Sequence, residues 1–315
     1  VVAWLPTATV SSIWRDVKVY KDHAYVVSEA RDHGMQVVDM TKFRQLRMKR
    51  KRSTITADVW YREFGNSHNI VMNEDTGYAY SVGTRTCSGG LHMVDVRDPK
   101  NPTFAGCGDV GQGYSHDSQC VVYSGPDSRY TGQEICFNYN EDKLVISDVT
   151  VKNAPVLVSV SYYQDDQYTH QGWLTADQSM LLMNDELDEL YGKSPNTRTL
   201  IWDVTDLRNP RNTASHYSDT TVIDHNLYIH ENGLGYLSNY CDGLVLLDAT
   251  QLKNGVAPRV GSFDVAPDCN TVTFSGSWSN YPYFKSGTII VSSIERGLFS
   301  FKVQPRVLEG VAKNN

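Results

Sequence analysis

Short runs of alternating apolar and polar residues, each stopped by a turn-forming cluster, follow one another along almost the whole chain. Residues 16–22 (DVKVYKD), 23–29 (HAYVVSE) and 34–40 (GMQVVDM) keep this two-residue period. So do residues 225–231 (HNLYIHE), 233–239 (GLGYLSN), 243–249 (GLVLLDA) and 258–265 (PRVGSFDV). A period of two puts successive side chains on opposite faces of a β-strand. Extended amphipathic helical periodicity is hard to find, so the pattern predicts an all-β chain.

These runs are themselves repeated. An apolar strand ending in Asp and followed by a turn rich in Asn and Pro occurs at Asp39, Asp95, Asp148, Asp203 and Asp248, with a degenerate copy at residues 297–305 (GLFSFKVQP). A second mark opens each unit, at Arg15, His68, His116, His170, His225 and Trp278. Both marks recur at 45–56 residues. Two independent markers with nearly one period, and four strands between them, are the signature of propeller blades and not of a helical solenoid. The expectation is a single-domain six-bladed β-propeller of four-stranded blades, at about 13–66, 67–113, 114–167, 168–221, 222–272 and 273–303. The last unit lacks a clear fourth strand, and residues 1–10 (VVAWLPTATV) precede the first unit without a partner. The N-terminal strand is therefore expected to complete the last blade and remove an exposed edge.

Composition narrows the setting. Hydrophobic residues at 40% and charged residues at 21% suit a chain that buries a core. A net charge of −7 argues against nucleic acid as main partner, because phosphate binding draws on excess Lys and Arg. No apolar run has the length of a membrane span. The opening segment reads as the start of a mature chain from which an export signal has been removed. The six cysteines have no CxxC zinc-ribbon spacing. Cys120 and Cys136 flank a turn-like stretch, so a bridge between adjacent strands is natural there; Cys87–Cys107 and Cys241–Cys269 are then the simplest remaining pairs among 15 connectivities. Bridges would place the chain in an oxidising compartment, secreted or at a cell surface.

The segments LHMVDVRDPKNPTFAGC (residues 91–107) and LVISDVTVKNAPVLVS (residues 144–159) resemble the LVIVD repeat. From about Trp14 to Val303, the runs RDVKVYKDHAYVVSEARDHGMQVVDM, TGYAYSVGTRTCSGGLHMVDVRDP, THQGWL and NDELDE look like the choice-of-anchor B family of extracellular proteins. That resemblance implies a secreted or surface-anchored β-propeller and implies little about activity. The sequence as read is expected to depart from anchored members at its C-terminal end, where no sorting or membrane segment is recognised.

In a propeller the innermost strands start at one face and the second strands end there, so the unit-opening residues are expected to ring the axis. Four of them are histidines, His68, His116, His170 and His225. Surrounding positions from second-strand ends include Glu29, Arg31, Arg85, Asn138, Asn140, Asp185, Glu186, Asn239, Glu295 and Arg296. Three readings follow. The histidines bind a transition metal or Zn²⁺, with carboxylates orienting the rings. Or His116 and His170 act as acid/base groups on an acidic sugar whose carboxylate Arg15 and Arg85 hold, by fold-level analogy with propeller polysaccharide lyases. Or the polar ring packs the channel without chemistry, as position-specific residues in repeats commonly do. Glu29, Asn138, Glu186, Asn239, Trp278 and Glu295 are the expected contacts of a small-molecule or glycan ligand. An adhesion or assembly scaffold meeting an extracellular protein or matrix partner is the further alternative.

Other features have both a functional and a plain reading. The acidic run Asp185, Glu186, Asp188 and Glu189 offers oxygens for Ca²⁺ but lacks calcium-loop spacing, so a solvated turn competes. The basic run Arg44, Arg47, Lys49, Arg50, Lys51 and Arg52 reads as a charged edge strand before a dock for an anionic surface. Trp14, Trp173, Tyr240 and Trp278 are candidate sugar-stacking rings, or wedges between blades. His23, His33, His92, His216 and His230 lie off the shared position. No G-x-S-x-G, P-loop or G-x-G-x-x-G motif occurs.

Overall fold

The computed structural model describes residues 1–44 and 53–314. The basic residues Arg47, Lys49, Arg50, Lys51 and Arg52 lie outside the described residues. The chain is all-β, a six-bladed β-propeller whose unit is a four-stranded antiparallel sheet. Blade one is Arg15–Tyr20, His23–Ser28, Met35–Asp39 and Val59–Tyr61, and blade two is Asn69–Asn73, Tyr78–Val82, His92–Asp95 and Thr103–Cys107. Blade three is Asp117–Val122, Glu134–Tyr139, Leu144–Asp148 and Val156–Ser161. Blade four is Thr169–Leu174, Met180–Asp185, Arg198–Asp203 and Arg211–Tyr217, and blade five is Asn226–Ile229, Leu234–Ser238, Leu244–Asp248 and Arg259–Phe263. Blade six has three strands among the described residues, Ser277–Tyr281, Ile289–Ser293 and Gly297–Phe301.

The chain divides into two compact units. The first holds residues 1–122, 132–138 and 146–157, and the second holds residues 123–131, 139–145 and 158–315. In the first, Tyr25, Val27, Met35 and Val37 of blade one pack with Ile70, Ala79 and Val94 of blade two. In the second, Leu182 and Ile201 of blade four pack with Leu227, Leu237, Val245 and Leu247 of blade five. Middle strands such as Met180–Asp185 and Leu244–Asp248 are buried at every residue, while the outer strand Arg211–Tyr217 is largely exposed. A strand covered on both faces can become continuously apolar, so third strands such as residues 244–247 (LVLL) depart from the two-residue period expected for them.

The repeated aspartate has a local cause. Asp39, Asp95, Asp148, Asp203 and Asp248 each accept the backbone N–H two residues on, at 2.9–3.0 Å. Such Asx turns stop the third strand and aim the chain at the fourth. Asp39, Asp203 and Asp248 also accept the hydroxyl of Thr41, Thr205 and Thr250, each at 2.6 Å.

The expectation that the N-terminal strand closes the last blade is overturned. Ala3–Trp4 pairs in parallel with Ser53–Thr54, the segment that precedes the fourth strand of blade one. Pro6 breaks the run after two residues, and the chain beyond it bonds to blade one. The Gln36 side chain donates to the Pro6 carbonyl at 3.2 Å, Thr9 Oγ1 meets His33 Nδ1 at 3.0 Å, and Arg15 donates to Thr7 Oγ1 at 2.9 Å. An α-helix not expected from periodicity, α1 (Pro305–Ala312), follows blade six. Val307, Leu308 and buried Val311 pack it onto Leu234, Tyr236, Leu246, Ile289 and Val291.

All six cysteines are bridged, as Cys87–Cys107, Cys120–Cys136 and Cys241–Cys269. This set fits an oxidising compartment. Among the described residues, no helix is long and apolar enough to cross a membrane. Cys120 and Cys136 are buried on adjacent strands of blade three and are separated by 16 residues in sequence. Replacing both with Ala is expected to cost about 2–4 kcal/mol, read by urea denaturation under non-reducing conditions. An unchanged midpoint would contradict it.

Candidate functional site

Blade four contributes His170 through an irregularity in its first strand. Thr169 pairs with Asp185 and Gln171 with Asn184, leaving His170 as an extra residue between them. Such a bulge re-aims a side chain that strict alternation would send elsewhere. The next strand ends at Asp185, whose carboxylate anchors the following loop. It accepts Tyr168 N–H at 2.8 Å, Gln167 N–H at 2.7 Å, Tyr163 O–H at 2.7 Å and Leu187 N–H at 3.2 Å. Glu186 is thereby held at the strand end, with its own N–H donating to the Tyr168 carbonyl at 3.0 Å.

Blade five contributes His225, immediately before its first strand; the N–H of His225 donates to Asn239 Oδ1 at 3.3 Å. Nε2 of His225 lies 3.5 Å from Glu186 Oε1, and Nε2 of His170 lies 3.8 Å from Glu186 Oε2. The three potential ligand atoms all lie within 4.8 Å of one another. His170 and His225 are 3% and 1% exposed, whereas the Glu186 side chain keeps partial access to water. Their rings stand 4.5 Å apart.

Tyr240 completes the arrangement. Its O–H donates to Glu186 Oε1 at 2.6 Å, and its ring stacks on His225 at 4.2 Å and 29°. Burial first, and then the Glu186 carboxylate, push the Tyr240 phenol far above its ordinary range, so it stays a donor. Tyr240 itself sits at φ 40°, and Gly276 at φ 101° packs directly beneath its carbonyl. Trp278, also the extra residue of a bulge, meets His225 edge-on at 5.1 Å, and Phe274 meets Tyr240 at 5.5 Å. Two imidazoles and one carboxylate are the donor set of many catalytic zinc sites, which leave a fourth position for water or substrate. The phenol that holds the carboxylate supplies the outer-shell support such sites use.

The first unit brings together a different pair. The His68 and His116 rings lie 4.1 Å apart, and His68 Nδ1 is bonded to Glu29. Among the described residues, the trio His170, Glu186 and His225 is the one group of three metal-capable side chains.

Other expected site residues have local work. Arg15 donates to the Ser12 carbonyl at 3.1 Å as well as to Thr7, and Arg85 is exposed. Asn138 is interior to blade three, accepting Ser118 O–H at 2.9 Å and donating to Ser147 Oγ at 3.1 Å. Asn239 positions the His225 backbone. Glu295 accepts Gly276 N–H at 3.0 Å and the Ser275 hydroxyl, fastening the loop under Tyr240. The acidic run is not a solvated turn: Asp185, Asp188 and Glu189 are buried, and Asp188 accepts Arg198 Nε at 2.6 Å. Glu189 accepts Arg198 N–H at 2.7 Å; burial and the Asp188 charge drive its carboxyl well above the usual range. Sequence reasoning flagged Tyr240 as a stacking ring and missed its bond to Glu186. It missed Phe274 altogether, because nothing in the repeat marks that loop.

A crystal structure of a protein from Lactobacillus plantarum superposes on this chain with a TM-score of 0.62 at 12% identity, covering 93% of this chain and 80% of that one. At that identity the likeness concerns the fold alone. No family model and no curated protein matches the chain.

Proposed function

We propose that this chain is a secreted propeller of the LVIVD-repeat, choice-of-anchor B type that binds a divalent transition ion, Zn²⁺ foremost, through His170, Glu186 and His225. One observation carries the reading: three side chains from two blades hold their ligand atoms within 4.8 Å of one another, with both imidazoles buried and the carboxylate partly exposed. The residues fit the ion by chemistry as well as by distance, since imidazole nitrogen and carboxylate oxygen are ordinary Zn²⁺ donors. A bound ion would supply Lewis acidity to a small-molecule or glycan ligand entering its open position. Three disulfides support export to an oxidising compartment. The acidic-sugar lyase reading has less behind it, because Arg15 is engaged by Ser12 and Thr7.

Metal analysis of untagged protein purified without chelator is expected to give one ion per chain. The double variant His170→Ala/His225→Ala should drop Zn²⁺ occupancy to background while His68→Ala/His116→Ala keeps it. Full occupancy in the first variant, or none in the unaltered protein after Zn²⁺ exchange, would overturn the assignment.

A further inference from the structure

Among the described residues, blade six is one strand short of its siblings. In blades one to five a fourth strand lies beside the third. It runs antiparallel to the third in blades one, two, four and five. The third strand is accordingly interior there, buried at every position before its closing aspartate. In blade six the third strand, Gly297–Phe301, is itself the edge. None of its residues is buried, and Leu298 is 70% exposed. The N-terminal segment, expected to supply the missing strand, pairs with Ser53–Thr54 through Ala3–Trp4.

That edge carries none of the usual protections. Its register with Ile289–Ser293 runs unbroken, from Ile289 opposite Phe301 to Ser293 opposite Gly297. Residues 297–301 (GLFSF) hold no proline and no charge. Edges that face water are normally blunted by charges, prolines or bulges, because one side of the strand offers unpaired N–H and C=O groups. The strand is also held in place. Phe301 meets Phe263 of blade five at 4.3 Å, and Phe299 stacks on Phe301 at 6.0 Å and 6°. A straight edge fixed in this way loses little freedom when a further strand is added.

The flanking charges select among possible strands. Arg296, before the edge, is matched by Asp268 at 2.5 Å, and Glu295 accepts bonds from Ser275 and Gly276. Lys302, after the edge, is exposed and has no ion pair among the described residues. Exposed Lys285, in the turn before Ile289–Ser293, adds the same sign at that end. Two copies paired in register about Phe299 would set Arg296 of one against Lys302 of the other, a like-charge contact. An antiparallel strand with an acidic residue at its N-terminal end would set that acid beside Lys302 instead.

We propose that Gly297–Phe301 receives an extended segment of another protein as the fourth strand of blade six. The segment lies antiparallel, alternates apolar with small residues, and carries a carboxylate side chain at its N-terminal end. The resident fourth strands show the form this position takes, Val156–Ser161 (VLVSVS) being one. Main-chain hydrogen bonds supply the affinity, and Lys302 sets the direction.

The probe is a labelled peptide, EVLVSVS, the blade-three strand with a glutamate before it, titrated into the intact chain by fluorescence anisotropy. It is expected to bind with a dissociation constant below about 1 mM. Lys302→Glu should weaken it by about fivefold and should improve binding of the peptide KVLVSVS, a reversal that misfolding cannot produce. Two further peptides carry N-methyl groups on alternate residues, in opposite phases. A strand added at an edge bonds through one side only, so one phase should abolish binding and the other retain it. Hydrogen exchange should show new protection within residues 298–301. The proposal falls if EVLVSVS does not bind at about 1 mM. It falls if both N-methyl phases bind alike, or if the charge reversal is absent. Residues 298–301 all protected in the free protein, as monomer or dimer, would show the edge filled by the chain itself or by a second copy, and overturn it equally.

Discussion

Asp224→Asn is expected to stabilise the protein at pH 8 and to lessen the loss of stability between pH 4 and 7. Asp224 is fully buried, and burial pushes its carboxyl up to about 7, with Asp188 adding to the rise. Thr199 O–H donates to its Oδ2 at 2.7 Å, which offsets only part of that cost. The sign follows from proton counting. Between the unfolded value near 3.8 and the folded value near 7, the native state holds a proton that the unfolded chain has lost. The contribution of Asp224 to stability is therefore full below about pH 4, falls as pH rises, and reaches its lower plateau above about pH 7. Three pH units correspond to about 4 kcal/mol, an upper figure because relaxation and water reduce it. Asparagine keeps an oxygen for the Thr199 hydroxyl. Chemical denaturation across pH 4–9 checks this. A variant less stable than the parent at pH 8, with the same pH slope, would contradict it.

The second large effect concerns Gly276→Ala. A Cβ there would lie 2.3 Å from the Tyr240 carbonyl oxygen and 2.7 Å from its carbon. That oxygen cannot retreat freely, because Ser277 N–H donates to it at 2.8 Å. The φ of 101° is itself costly for any residue with a side chain. The expected loss is about 3 kcal/mol or more, a steric and backbone mechanism of the kind that produces severe variants. Because the displaced backbone carries the phenol that holds Glu186, Zn²⁺ affinity should fall with it. Thermal melting and competitive Zn²⁺ titration read the two losses separately. Near-parental values in both would show that the loop yields without consequence. Gly287, also at positive φ but with nothing within 4 Å, is the control for the backbone term alone.

The disulfide pattern was readable because it is local in the fold: Cys120 and Cys136 lie on strands that neighbour one another in sequence and in the sheet. The repeat was readable for the same reason, since each Asp acts on a backbone group two residues away. The candidate site was only half readable. Equal repeat positions suggested one ring of four histidines; within the first unit His68 meets His116, and within the second His170 meets His225. Each pair has a carboxylate, Glu29 on His68 and Glu186 beside His170 and His225, but among the described residues only the second set brings three potential ligand atoms within 4.8 Å, where the Asp185 carboxylate fastens the loop that carries Glu186.

Amino-acid order alone determined the two-residue period, the number of repeats, the turn after each third strand and the simplest cysteine pairing. Each depends on burial alternation or on groups a few residues apart. Tertiary structure decided which side chains leave that alternation. The extra residues at His170 and Trp278, the parallel pairing of Ala3–Trp4 with Ser53–Thr54, and the seat of α1 on blades five and six all arise from contacts between distant segments. A bulge costs little locally and is selected by what its re-aimed side chain meets, which periodicity cannot encode.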